Sequence, residues 1–392
     1  MNVQGSKSFK DYSEALSGSL QIHSKSIFPP DAQKTLRKFS MKEAADFMKL
    51  NQNTFRHYIG TKSDELPTGE MDKSNRRYFT AAEIHEIQRR LVGMGKIDRD
   101  AFPQRKDGEK LQVLTCFNLK GGVSKTSTTV HLAERLAMVG YRVLCIDLDA
   151  QASLTNMFGV SPELHPDMPS AYDIIRYVRS KPTRDVIQKT YFPNIDLIPA
   201  SMEIIEFEYE TAISFKSPNG TTSFHTRISD ALKSVEDDYD LVIFDTPPQM
   251  SFAVLSALFA STGVLIPLNA SMLDTMSLST FLEMAGDLME VIEQHDPDHQ
   301  FDFIKFLITR YESSDLPQVQ MASFLRTVLG TSVMKTEFVK STAIGDAANT
   351  KQPLYEIEPR DLNRKTYERV IESLTGISDE LEEQFMKSWE RI

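Results

Sequence analysis

The run Leu111–Gln151 constrains the fold more than any other stretch of the chain. Leu111 to Phe117 is a short apolar run that ends in Asn118-Leu119-Lys120-Gly121-Gly122-Val123-Ser124, and Lys125-Thr126 then opens a segment of helical periodicity. Strand, glycine-bearing loop and helix follow one another in the order a phosphate-binding loop requires. Gly121 and Gly122 let the backbone turn sharply, so that the N–H groups from Lys120 to Ser127 and a helix N-terminus can face phosphate oxygens. In such a loop Lys125 would neutralise the β and γ phosphates of a nucleotide, and the Thr126 hydroxyl would ligate Mg2+. The strict pattern GxxxxGK[ST] is not met, because Leu119 and Ser124 stand at its two glycine positions.

Downstream the chain repeats one theme: an apolar run closed by an acid. A helical segment 125–139 stops at Gly140, the buried strand Arg142–Ile146 leads into Asp147-Leu148-Asp149-Ala150-Gln151, and DLVIFDTPP places Asp245 at the end of a third strand. Carboxylates at the C-terminal ends of parallel strands sit where open α/β sheets bind ligands. Asp245 is placed to hold Mg2+ through a water. Further strands are expected at Ile195–Ile198, Gly263–Leu268 and Phe303–Thr309, with a helix over 274–293. The expected fold is α/β, a doubly wound and mostly parallel sheet of the P-loop NTPase kind over residues 111–392.

Lys120 directly before the glycine pair gives KGGVSKT, which resembles the deviant Walker A box of the ParA/MinD family of ATPases. That resemblance implies ATP and Mg2+ as cofactors and a homodimer in which Lys120 reaches the partner's nucleotide. Ser124 departs from the family's usual glycine. DLDAQ resembles the family's DxDPQ motif, with Ala150 for the usual proline; by that likeness Asp149 orients the attacking water and Asp147 supports the metal from its second shell. DTPP resembles the family's D[ST]PP form of Walker B, and residues 331–350 resemble its last strand and following helix. Base contacts in this class come from loops after late strands, which makes Pro267 and Arg310 the expected adenine neighbours.

The N-terminal part reads differently. Residues 1–110 carry 20 Lys and Arg against 15 Asp and Glu, and the remainder 24 against 40, so the basic N-terminal part is the better nucleic-acid candidate. Residues 1–38 are expected to form a helical arm, with self-association or a frayed terminus as equal readings. In residues 39–93, Ser40 and Glu43 form a capping-box signature, Leu50-Asn51 makes a turn, and a second helix opens at Gln52. Phe55, Tyr58 and Ile59 can pack inward there, while Gln52, Asn53, Thr54, Arg56 and His57 are left for a major groove. This resembles the start of a MerR-like winged helix-turn-helix domain; Lys73, Arg76 and Arg77 would lie in its wing, the two arginines on phosphates. Residues 94–110 look like a charged linker.

Two cysteines, Cys116 and Cys145, lie in apolar strand-like runs and are expected as buried small hydrophobes. They are too few to hold an iron-sulfur cluster, and the tyrosine cluster of the class's kinases is absent. No secretory signal or 18-residue apolar run is present, so a cytoplasmic protein is expected, and the family resemblance implies that it is nucleoid-associated. The closing segment SDELEEQFMKSWERI has helical spacing, but its acidic polar face is wrong for anionic lipid, which disfavours a MinD-like membrane-bound positioning ATPase.

As a whole the chain is most similar to large ParA-type plasmid partition ATPases, in particular the RepA proteins of repABC replicons. The resemblance implies ATP-dependent segregation of plasmid copies with a ParB-like centromere-binding partner, and repression of the protein's own operon. Non-specific DNA binding by the dimer would need a local patch, for which Lys335, Lys340, Arg360, Arg364, Lys365 and Arg369 are candidates. A transcription regulator that uses nucleotide only as a sensor is the alternative in another class.

Overall fold

The computed structural model describes residues 8, 10–16, 18–19, 34–62, 64–98, 102–165, 167–216, 223–294, 296–297, 299–344 and 351–392. They fall into two compact units, Met1–Thr35 and Leu36–Ile392. In the first unit the described residues before Leu20 are helical, with Tyr12 and Leu16 exposed one turn apart. Phe9, Leu20, Ile22, Ile27 and Phe28, the further large apolar residues of residues 8–28, lie outside the described residues, as does the segment 345–350.

The second unit opens with strand β1 (Phe39–Ser40) and helix α1 (Met41–Phe47). The capping box forms as expected: the Glu43 N–H donates to Ser40 Oγ at 3.3 Å and the Ser40 N–H to the Glu43 carboxylate at 2.9 Å. Helix α2 (Gln52–Thr61) starts at Asn51, whose side chain accepts the Asn53 N–H at 2.9 Å. A hairpin follows, β2 (Glu70–Met71) and β3 (Arg77–Phe79), and β1 pairs with the other edge of β3, all antiparallel. Asp72 closes the hairpin turn by accepting the Ser74 and Arg76 N–H groups, each at 2.8 Å. Gly69 has φ +67°, and a Cβ there would lie 2.5 Å from the Tyr78 carbonyl, so only glycine fits the approach to the hairpin. Helix α3 (Ala81–Gly93) begins with a second capping box, Thr80 with Glu83.

The main sheet is built from β4 (Gln112–Cys116), β5 (Val143–Asp147), β6 (Gln188–Lys189), β7 (Ile195–Ile198), β8 (Leu241–Asp245), β9 (Gly263–Asn269), β10 (Phe303–Tyr311) and β11 (Phe338–Val339). Their spatial order is β11-β10-β9-β4-β8-β5-β7-β6, parallel throughout except for β6 against β7. This is the mostly parallel, doubly wound sheet expected from the alternation of apolar runs and helical segments. β4 runs between β8 and β9, so the chain winds out to both sides of it and its C-terminal end opens onto a crevice. Helix α4 (Lys125–Val139) leaves that crevice and is buried along nearly its whole length.

The small module over 39–93 does not close a separate core. Phe39, Phe47, Phe55, Phe79, Ile84 and Leu91 belong to one apolar cluster with Val130, Leu136 and Tyr141 of the α4 region and with Leu374, Leu381 and Phe385 of the final helix α13 (Arg364–Ser388). A module this short buries too little surface alone, and sharing a core supplies the rest. Two side chains of α3 cap the last carbonyls of α4: His85 Nε2 donates to the Ala137 carbonyl at 2.8 Å, and Gln88 Nε2 donates to those of Met138 at 3.1 Å and Val139 at 3.0 Å.

Residues 102–110 differ from the expected linker. Arg391 clamps them, with Nε on Glu109 at 2.7 Å and its other nitrogens on the Phe102 carbonyl at 3.0 Å and the Gln104 carbonyl at 2.8 Å, while Trp389 Nε1 donates to the Lys110 carbonyl at 2.9 Å. Arg105 adds bonds to the Glu109 and Glu236 carbonyls at 2.8 and 2.5 Å. The charges that suggested solvation are spent on backbone and ion-pair contacts. Leu381, Phe385 and Trp389 of the chain's end are buried in this structure, and among the described residues no helix is long and apolar enough to cross a membrane. Both cysteines are buried and free.

Candidate functional site

Strand β4 delivers the chain to the crevice at Phe117, and the loop that follows is shaped by Asn118. Its Nδ2 donates to the Pro267 carbonyl at 2.8 Å and its Oδ1 accepts the Lys120 N–H at 2.9 Å, which fixes the loop to β9. Gly121 and Gly122 are exposed, Val123 is buried, and Thr309 Oγ1 at the end of β10 donates to the Val123 carbonyl at 3.1 Å. Ser124, which stands where a glycine is usual, takes the left-handed conformation at φ +66° and is the N-cap of α4. A non-glycine residue pays about 1–2 kcal/mol for that conformation. The loop therefore keeps the geometry a glycine would give, at a cost borne by Ser124.

Lys125 and Thr126 then open α4 beneath the loop. Lys125 Nζ donates to the Lys120 carbonyl at 3.1 Å, and Thr126 Oγ1 donates to Asp245 Oδ2 at 2.6 Å. Because the hydroxyl proton is committed to Asp245, the lone pairs of Thr126 are left for a cation. Ser127 is half-buried and its carbonyl accepts from His131. The paired register of β5 and β8 sets Asp147 beside Asp245. Burial pushes the Asp245 carboxyl well above the usual carboxylate range, with Asp147 adding to it, and burial likewise raises Asp147. Burial also lowers the Lys125 ammonium.

These shifts share one cause, charge withdrawn from water without full compensation. Asp245 Oδ1 is buried and has no hydrogen-bond partner, the kind of orphan a divalent cation or its water would satisfy. Among the described residues no group of three or more His, Cys, Asp or Glu could hold a metal by itself. The donor set fits a cation completed by phosphate oxygens and water, as Mg2+ prefers.

The two strand-end acids of the second motif differ in surroundings. Asp147 is fully buried and accepts from Asp149 N at 3.0 Å and from Thr155 N and Oγ1 at 2.9 and 2.7 Å. Asp149 is half-buried at the rim, with Oδ1 accepting the Gln151 N–H at 2.9 Å. Lys120 is half-buried, and its ammonium is paired with Asp274, a 6% exposed residue near the start of helix α11 (Met272–Glu293). Sequence reasoning missed Asp274, Asn118 and Thr155. Asn118 opens the phosphate loop and Thr155 follows the DLDAQ motif, but neither place tells which distant backbone groups they bond; the position of Asp274 just after an apolar strand is the one local signal that could have pointed to it.

Of the expected adenine neighbours, Pro267 is buried inside β9 opposite Leu307 and offers its carbonyl to Asn118. Arg310 has φ +52° and donates from Nη1 to the Gly122 carbonyl at 3.3 Å, beside the phosphate loop. In the N-terminal module Asn53, Thr54, Arg56 and His57 are exposed on α2, whereas Gln52 is half-buried one turn before the buried Phe55, on the side that Phe55 and Ile59 occupy. Lys73 and Arg76 are exposed and Arg77 half-buried on the hairpin. Of the cations named as candidates for a local DNA patch, Lys340 pairs with Glu312 at 2.7 Å and Arg364 with Glu368 at 2.8 Å, both at the surface.

Comparison with known proteins agrees with this architecture. An AAA domain family model matches residues 111–296. The chain is 41% identical over 383 residues to "Putative replication protein A" of Sinorhizobium fredii, covering 96% of this chain and 93% of the relative. It is 26% identical over 265 residues to the chromosome-partitioning ATPase Soj of Thermus thermophilus, covering 68% of this chain and 96% of that one. A solved structure titled "Partition Protein" is 19% identical with a TM-score of 0.58, covering 93% of this chain and 99% of its own, a likeness of fold. With a phosphate loop, two acidic strand ends and full-length similarity to the replication protein A relatives, the chain belongs to the ParA family of partition ATPases.

Proposed function

We propose that this protein is a plasmid-partition ATPase that dimerises on ATP, holds DNA in that state, and represses its own operon through residues 39–93. The observation that carries the reading is the convergence of Lys120, Lys125, Thr126, Asp149 and Asp245 at one end of the sheet. Lys125 would bind the β and γ phosphates, and Thr126, with Asp245 acting through water, would hold Mg2+, which supplies charge neutralisation at the phosphates. Asp149, at the rim and held by its turn, would orient the attacking water. Lys120 would exchange Asp274 for the γ phosphate of a second copy, so that nucleotide state becomes dimer state.

The polar outer face of α2 and the cationic hairpin support a winged helix-turn-helix reading of 39–93. Helix α2 would enter a major groove with Asn53, Thr54, Arg56 and His57, and Lys73, Arg76 and Arg77 would meet phosphates. A ParB-like partner would accelerate hydrolysis and release the DNA. Two substitutions test the division of labour. Asp149→Ala should retain ATP binding and accumulate dimer while turnover falls by at least tenfold; rapid turnover would overturn the role given to Asp149. Arg56→Ala should weaken operator binding by about 1–3 kcal/mol if the arginine reads a base edge and leave basal ATPase unchanged. Parallel loss of both activities would assign residues 39–93 to the ATPase core.

A further inference from the structure

Asp147 and Asp245 are paired across neighbouring strands, both fully buried, and yet one is saturated and the other is not. Asp245 keeps an oxygen without a partner. Asp147 has both oxygens engaged by the chain: Oδ1 accepts Asp149 N at 3.0 Å, and Oδ2 accepts Thr155 N at 2.9 Å and Thr155 Oγ1 at 2.7 Å. A carboxylate so occupied is built to hold backbone. Thr155 is itself fully buried, and its hydroxyl, having given its proton to Asp147, accepts the Ala200 N–H at 3.0 Å. Ala200 lies two residues beyond the end of β7, so the hydroxyl joins the exits of β5 and β7.

The turn between them needs such an anchor. It runs from Asp147 to helix α5 (Ser153–Met157), and Ala152, its last residue, is in the left-handed conformation at φ +52°. That conformation costs a non-glycine residue about 1–2 kcal/mol. The Ala152 N–H donates to the Asp149 carbonyl at 2.7 Å, so the strained residue and Asp149 are in one tight turn. If Asp147 were free to rotate, the Asp149 N–H would lose its fixed acceptor and the carboxylate of Asp149 its fixed place at the rim.

We propose that Thr155 is a positioning residue for ATP hydrolysis: its hydroxyl, bridging Asp147 and the Ala200 N–H, locks the Asp147 carboxylate that holds the turn bearing Asp149. The inference rests on the reading in which Asp149 orients the attacking water. It also gives Asp147 a different task from the metal-supporting one expected from the motif.

The test uses the full chain with Mg-ATP and compares Thr155→Val, Thr155→Ser, Asp149→Ala and the Thr155→Val/Asp149→Ala double variant. Thr155→Val should lower kcat about tenfold, leave the Kd for Mg-ATP within about twofold and lower the thermal midpoint by only about a few degrees, since the buried Ala200 N–H loses its acceptor. Thr155→Ser, which keeps the hydroxyl, should restore kcat to within about threefold. Thr155→Ala makes the same comparison without a branched side chain should valine not be accepted. In the Asp149→Ala background the valine should cost nothing more, because both changes remove one function. A normal kcat in Thr155→Val, a serine variant as slow as the valine one, or further slowing in the double variant would each overturn the inference. Wild-type turnover by Asp149→Ala would instead overturn the reading on which it rests.

Discussion

Acid should loosen this protein through two histidines on the interface between α3, α4 and the segment around Leu354. His131 is fully buried in α4; its Nε2 accepts the Leu354 N–H at 3.2 Å, so Nδ1 carries the proton and donates it to the Ser127 carbonyl at 2.7 Å. A proton added at Nε2 would face an N–H. His85 donates from Nε2 to the Ala137 carbonyl. Burial lowers both from the ordinary 6.5 to about 4. Between those values the unfolded chain binds protons that the folded chain refuses, so stability is fully present above pH 6.5 and is lost as pH falls toward 4. Each histidine is then worth about 3 kcal/mol when the window has been crossed and about 2 kcal/mol at pH 5. Asp147 and Asp245, raised by burial, act with the opposite sign over an overlapping range, so the informative quantity is a difference between variants. His131→Gln keeps an acceptor for the Leu354 N–H and cannot titrate. In urea unfolding at pH 7.5 and pH 5.0, the unaltered protein should lose about 2 kcal/mol more than His131→Gln. Equal losses would refute a neutral, buried His131.

Two further substitutions probe contacts that span the chain. Asp274→Asn removes the carboxylate that holds Lys120 within its own subunit, and since Lys120 is 38% exposed at its side chain the pair is screened. ATP-dependent dimerisation, followed by sedimentation, should tighten by about twofold to fivefold, consistent with the few tenths to 1 kcal/mol such a pair is worth; weaker dimerisation would mean that Asp274 serves the closed state instead. Arg391→Ala strips Glu109 of its buried partner and opens the carbonyls of Phe102 and Gln104, with side-chain exposures of 4% for Arg391 and 14% for Glu109. It should cost about 3 kcal/mol in urea unfolding and admit protease near residues 102–110, whereas a change below 1 kcal/mol would make these residues the loose linker their composition suggests.

The phosphate loop, the strand-end acids and the parallel sheet were legible because each is a local pattern: an apolar run, a turn chemistry, a helix start. Ser124 was legible as a departure from the pattern, though its left-handed backbone was not. What stayed hidden are pairings between distant parts of the chain. Lys120 meets Asp274, Thr155 meets Ala200, and Arg391 meets Glu109, and no periodicity encodes any of them. The expectation of a linker at 94–110 came from charge density, which cannot distinguish solvated charges from charges that clamp backbone. The same limit hid how the N-terminal module is attached. Helix α4, 15 residues and so about 22 Å long, begins at Lys125 in the phosphate site and ends at carbonyls capped by His85 and Gln88 of α3. Arg135 of the same helix lies over the Phe47 ring of α1, 5.2 Å from its centroid. The phosphate loop and the N-terminal module over residues 39–93 thus sit at the two ends of one buried helix, and any displacement of α4 along its axis must be met by α3 or break three hydrogen bonds. A module tethered by a linker would be free of that constraint.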